Sequence, residues 1–199
     1  MHPSFSQLCM DHYRMIRLLH VLEAEIDCYE ADEKGQGRLS VILDILDYIG
    51  AYQERCHRPL EDLLYEILLV KQPENSALIW ATRAEHKTLE KLSAPTVELF
   101  FSVANNDVVP VQSLVRSTRN YVARQMEHIS QENRSVYPLF ENNISDSEWD
   151  QATEKAYIKK GFNSNSEIRR EYEELYRCIL RNQRLDSSDR YMQNSLNRN

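Results

Sequence analysis

The chain has 199 residues, 42% of them hydrophobic, with only 4 Gly and 6 Pro; that is enough apolar material for the core of one domain and too few breakers for a strand-and-turn protein, so an all-α fold is expected. A net charge of −7 and a pI near 5.4 argue against a nucleic-acid phosphate surface and against a polybasic membrane patch. No apolar run approaches the roughly 18 residues of a membrane span and no basic-then-apolar leader opens the chain, so a soluble cytoplasmic protein is expected.

The first helix is predicted over about Ser4 to Ala31. Leu8, His12, Met15, Ile16, Leu19, Leu22 and Ile26 recur at three-four spacing and mark one apolar stripe. His12 sits inside that stripe, where a lone histidine is ordinarily a packing residue. His20 falls about 80° away from it at roughly 100° per residue and reads as flanking or exposed, and His2 lies in the frayed end. Residues 31–38 are polar, hold two of the four glycines and read as a loop. The second helix follows from about Leu39 to Val70, with Ile42, Ile45, Leu46, Ile49, Leu60, Leu64 and Leu68 in its stripe. Pro59 lies inside it, two residues after His57, and either breaks the helix or kinks it at that point.

Residues 71–76 form a turn with Asn75 or Ser76 as N-cap. The third helix carries Leu78, Ile79, Thr82, His86, Leu89 and Leu92 on one side and continues past Pro95 to Ala104. A loop at 105–110 leads to a fourth helix from near Pro110 to about Phe140, with Pro138 breaking or bending its end. Ser145 and Glu148 form a capping box for a shorter helix that packs through Trp149, Ala152 and Ala156. Gly161 opens a breaker segment. A charged last helix over about Ser166 to Gln183 has a thin stripe of Ile168, Tyr172, Leu175 and Ile179, and the polar tail from 184 on is expected to be disordered. The organisation is an up-down four-helix bundle over 1–160, a C-terminal charged helix over 161–185 and a tail over 186–199. The four cysteines, Cys9, Cys28, Cys56 and Cys178, form no C-x-x-C pair and suggest no disulfide framework.

The chemistry gathers on four histidines, one per predicted helix: His12, His57, His86 and His128. Two of them have a glutamate four residues on, Glu61 after His57 and Glu132 after His128. Residues at i and i+4 share a helix face, so each pair offers an imidazole and a carboxylate to one ion. In an up-down bundle the four positions fall at matching heights, which is how such a bundle builds a two-metal carboxylate site in its core. One His-x-x-x-Glu pair alone is a weak signal, since charged helices produce such pairs freely, and a helical bundle with no metal is the plain alternative. Two pairs, two further inward histidines and matching heights favour the metal. Cys56 adjoins His57 but points about 100° away and is not placed on it.

The sequence resembles the hemerythrin-like (HHE cation-binding) domain. The resemblance rests on Leu8-Cys9-Met10-Asp11-His12, on Arg55 to Tyr65 around His57 and Glu61, on Glu85-His86, and on Met126 to Glu132 followed by Tyr137-Pro138-Leu139-Phe140. It covers about residues 5 to 155. It implies a non-haem site of two Fe ions, with His12, His57, His86 and His128 as terminal ligands and Glu61 and Glu132 bridging. The oxygen-carrying members have a second histidine on the third helix, and here that position is Glu90, a possible additional ligand. That departure favours reaction with peroxide, O2 or NO in oxidative-stress defence, possible catalase- or peroxidase-like activity, over reversible oxygen carriage. The alternative is an oxygen- or iron-sensing or iron-binding protein without turnover. Tyr13, Tyr65 and Tyr137 are candidates to supply an electron or proton, against a plain role in core packing. A protein partner is sought at the charged C-terminal helix, the segment outside the resemblance.

Overall fold

A computed structural model describes residues 1–31, 38–159 and 168–181. Of the expected loop at 31–38, residues 32–37 lie outside the described residues, as do the breaker at 161–166 and the tail from 184. Those that are described are helical apart from short connections, and the fold is all-α as expected. Among the described residues, no helix is long and apolar enough to cross a membrane.

The elements are α1 (Pro3–Ala31), α2 (Leu39–Tyr52), α3 (Arg58–Lys71), α4 (Ser76–Ala104), α5 (Val111–Gln131), α6 (Tyr137–Asn143), α7 (Asp146–Lys159) and α8 (168–181). A π-helical turn, Gln53–His57, joins α2 to α3, and a second, Glu132–Val136, joins α5 to α6. Each pair is therefore one continuous rod, and α1, α2–α3, α4 and α5–α6 are the four rods of a bundle. Neighbours run antiparallel: Asp11 meets Tyr52 while Glu25 meets Arg38, and His86 meets His128 while Thr96 meets Ser117.

Both π turns stand just before an X-Pro step, at Pro59 and at Pro138. A proline ring inside a helix collides with the carbonyl four residues back. Those carbonyls belong to Arg55 and Arg134, each inside a π turn, where the wider turn gives the ring room. The two prolines thus neither break their rods nor end them, and the fourth rod runs on to Asn143. Pro95 sits within α4 on an exposed face, where the carbonyl it leaves unpaired can meet water.

The capping box forms as predicted: Glu148 Oε2 accepts from the Ser145 N–H at 2.9 Å and from its hydroxyl at 2.7 Å. Asn75 precedes α4 but makes no side-chain cap bond. His2 is not frayed; its Nδ1 accepts from the Ser4 N–H at 3.2 Å and its ring stacks on Trp149 at 5.5 Å. His20 is exposed beside Glu23, as its angle predicted. The stripe of α8 is used within the chain: Tyr172, Tyr176 and Ile179 are buried against α1 and α2.

Two apolar clusters make the core. One, from Met15 to Tyr29 with α2, the middle of α5 and α8, fills one end. The other, around Phe5, Leu64, Phe140 and Trp149, fills the opposite end and is closed by α7. Each fully buried Leu or Phe among them contributes about 1.5–3 kcal/mol relative to exposure. Between the clusters lies a layer of buried polar side chains.

Candidate metal centre

That layer contains His12 from α1, His57 and Glu61 from the first π turn and α3, His86 from α4, and His128 and Glu132 from α5 and the second π turn. All six are buried. They form two groups, His12–His57–Glu61 and His86–His128–Glu132, and in each group the potential ligand atoms lie within 4.8 Å of one another.

The two i, i+4 pairs close as helix geometry requires, His57 Nε2 to Glu61 Oε1 at 3.1 Å and His128 Nε2 to Glu132 Oε2 at 3.3 Å. Both carboxylates also reach the other group. Glu61 Oε2 stands 3.7 Å from His86 Nε2, and Glu132 Oε2 stands 3.2 Å from His12 Nε2. Glu132 Oε1 meets His86 Nε2 at 3.4 Å. Each glutamate is thus placed between two sets of imidazole nitrogens.

Outer contacts orient three of the four rings. His12 Nδ1 is 2.8 Å from Asn133 Oδ1, His57 Nδ1 is 3.3 Å from Asp11 Oδ2, and His128 Nδ1 is 3.2 Å from Glu85 Oε2. With an acceptor at each Nδ1, that nitrogen keeps its proton whenever the ring is neutral and Nε2 is the atom left to face the centre, the usual arrangement behind a metal-binding histidine. Two tyrosines complete the layer. Tyr137 donates to Glu61 Oε1 at 2.9 Å and stacks on His12 at 4.6 Å, and Tyr65 donates to Glu132 Oε1.

Burial raises the Glu61 carboxyl and the neighbouring Glu132 raises it further, but His57 and His12 outweigh both and hold it below the usual range. Glu132 is held well below, because His128, His12 and His86 surround it and overcome its burial. In the metal-free chain burial lowers His57, yet Glu61 and Asp11 together raise it to about 10. The layer is therefore a set of ionised carboxylates among imidazoles, shut away from water.

Glu61 Oε2, His86 Nε2 and Glu132 Oε2 are buried without a hydrogen-bond partner. Buried polar atoms are costly when unpaired, and native cores rarely leave them so. Here three converge on one place, and a cation among them would satisfy all three. Imidazole with carboxylate is a donor set suited to iron, manganese or zinc.

The sequence profile of the Hemerythrin HHE cation binding domain matches residues 5–140. The chain belongs to this hemerythrin family. Comparison with curated proteins and with solved structures finds no match. The matched hemerythrin segment contains all six residues of the layer and ends at Phe140, before α7 and α8.

Two other residues singled out from the sequence are not brought to this layer. Glu90 is exposed and stands outside both groups. It lines a surface groove of about 460 Å³ with Arg58, Asp62, Trp80, Arg83 and Lys87, into which an edge of His86 opens. Tyr13 is 54% exposed and packs under Arg17; it follows His12 by one residue and so turns away from the layer. Cys56 is buried in the first apolar cluster and is not in either group. Sequence reasoning quoted Asp11 and Glu85 beside their histidines without giving them a role, and passed over Asn133; all three support the rings. It also passed over Gln53, buried between Met15 and Gln125 and held by Arg58. The signal available for Asp11 was its place beside His12.

Proposed function

We propose that the chain is a cytoplasmic non-haem di-iron protein that reacts with peroxide, O2 or NO in oxidative-stress defence. His12, His57, His86 and His128 would hold the ions through their Nε2 atoms, and Glu61 and Glu132, each standing between the two histidine groups, would serve both. One observation carries the reading: each glutamate stands between the two histidine groups with a buried oxygen that lacks a hydrogen-bond partner. Membership of a cation-binding family supports it. Bound iron supplies electron transfer and Lewis acidity.

The chain's own residues bind, orient and exclude. Asp11, Asn133 and Glu85 set the rings. Tyr65 and Tyr137 fix the two carboxylates by hydrogen bonds. Burial, and then the carboxylates beside them, raise both phenols well above their ordinary value, so each keeps its proton at neutral pH. The apolar clusters at either end keep bulk water out. The groove at His86 offers a small ligand its approach.

Peroxide consumption by the iron-loaded protein tests the reading. Many turnovers per chain are expected. A protein that holds iron and consumes no peroxide, O2 or NO is instead a sensor or iron-binding protein, and the stress-defence function is then wrong.

A further inference from the structure

Arg169 lies on α8, beyond the matched family segment, and makes contacts that α8 would not need for packing alone. Its Nη1 donates to Tyr52 Oη at 2.7 Å, and its Nη2 donates to the carbonyl of Cys56 at 3.1 Å. It pairs with Asp11 Oδ2 at 3.6 Å and its guanidinium lies over the Tyr52 ring at 5.7 Å. One side chain thereby joins three elements: α1 at the residue before His12, α2 at its last residue, and the π turn at the residue before His57.

Each contact is one step from a candidate ligand. Asp11 accepts from Tyr52 Oη at 2.7 Å and faces His57 Nδ1 at 3.3 Å. The Cys56 carbonyl belongs to a wide turn, whose hydrogen bonds do not follow the α pattern. A guanidinium presents a rigid planar fork of donors, so it fixes the relative placement of its acceptors in a way a lysine cannot.

The other half of the centre has no such support from α8. His128 is oriented by Glu85 of α4, and Gln131 next to Glu132 meets Thr82 of α4 at 3.4 Å. Among the described residues the two halves are therefore built differently: one by the four rods, the other with help from a helix outside the matched domain.

We propose that Arg169 is a positioning residue for the His12–His57–Glu61 half of the centre, so that α8 is part of the metal site and not an appendage to it. The proposal rests on the reading of the layer as a two-metal site. Removing the guanidinium frees Asp11 and the π turn to shift, and His57 loses its fixed direction. Outer-shell changes of this kind typically weaken metal binding by about 10–100-fold. The loss falls on one of the two ions.

The test compares Arg169→Ala with Glu173→Ala in the full chain. Glu173 ties α8 to α1 through Arg14 at 2.5 Å and touches none of the ligands. Tyr172, Tyr176 and Ile179 stay buried in both variants and keep α8 seated. Iron titration, with metal content measured after desalting, is expected to show wild type and Glu173→Ala holding both ions. Arg169→Ala should hold one firmly and the second about 10–100-fold more weakly, with Arg169→Lys in between. Ring-nitrogen NMR of the metal-free proteins gives a second readout, in which His57 should shift in Arg169→Ala and stay in place in Glu173→Ala. If Arg169→Ala binds both ions like wild type, or if the two alanine variants behave alike, Arg169 does not position the site. If wild type binds no metal, the two-metal reading fails on its own account, and an unmoved His57 in the metal-free Arg169→Ala protein then also removes the positioning role.

Discussion

Replacing Asp11 with alanine is expected to destabilise the metal-free protein by about 3 kcal/mol, although Asp11 is not itself among the candidate ligands. Asp11 is fully buried. It accepts from Tyr52 Oη and Gln7 Nε2, each at 2.7 Å, and faces His57 Nδ1 at 3.3 Å and Arg169 Nη1 at 3.6 Å. Gln7 and Arg169 are partly exposed and regain water when the carboxylate goes. Tyr52 and His57 are buried and do not, and each orphaned donor costs about 1–3 kcal/mol. Relief from burying a carboxylate offsets part of that. In a domain of this size about 3 kcal/mol lowers Tm by roughly 6–12 °C. Asp11→Asn retains one acceptor oxygen and turns a donor toward the other partner, so it should recover only part of the loss. Urea unfolding of chelator-treated protein measures the difference. An alanine variant within about 0.5 kcal/mol of wild type, the range of an ordinary surface change, would refute the network.

His57→Ala and Glu132→Ala should each lower bound iron, seen by elemental analysis of the purified proteins; unchanged content in both would sink the ligand assignment. Metal uptake near pH 7.5 should release about one proton from His57, because a ligand imidazole must be neutral and this ring, raised to about 10 in the metal-free chain, still carries its proton there. Calorimetry in buffers of different ionisation enthalpy reads that proton, and zero release would contradict the assignment. The same shift gives the sign of the metal-free protein's pH dependence. The stabilisation from charged His57 is complete below the ordinary histidine value of about 6.5 and is lost as pH rises through about 10. Leu64→Ala, in the second apolar cluster, should cost about 2–5 kcal/mol yet leave the iron content of folded protein unchanged.

Much of this was legible in the sequence because it depends on helical periodicity. The stripe of α1 put His12 inward, and the four-residue spacing put Glu61 beside His57 and Glu132 beside His128. What was not legible depends on departures from that periodicity or on remote cover. A single π turn leaves no trace in a 3.6-residue pattern, so Pro59 and Pro138 read as breaks or bends and not as the exits of wide turns. Asp11 and Tyr13 flank His12 symmetrically, yet one is buried and the other exposed, because Tyr52 and Arg169 close over Asp11. The latter comes from 158 residues away, beyond any local pattern. Glu90 keeps the spacing of a ligand but lies on the solvent edge of α4, where the stripe alone does not decide its direction.

The most direct measurement is the metal content and near-ultraviolet and visible spectrum of protein grown with iron, before and after peroxide. The account predicts about two irons per chain and an absorption that responds to peroxide. No bound iron, or a single colourless ion, would contradict it and leave the buried glutamates without their partner.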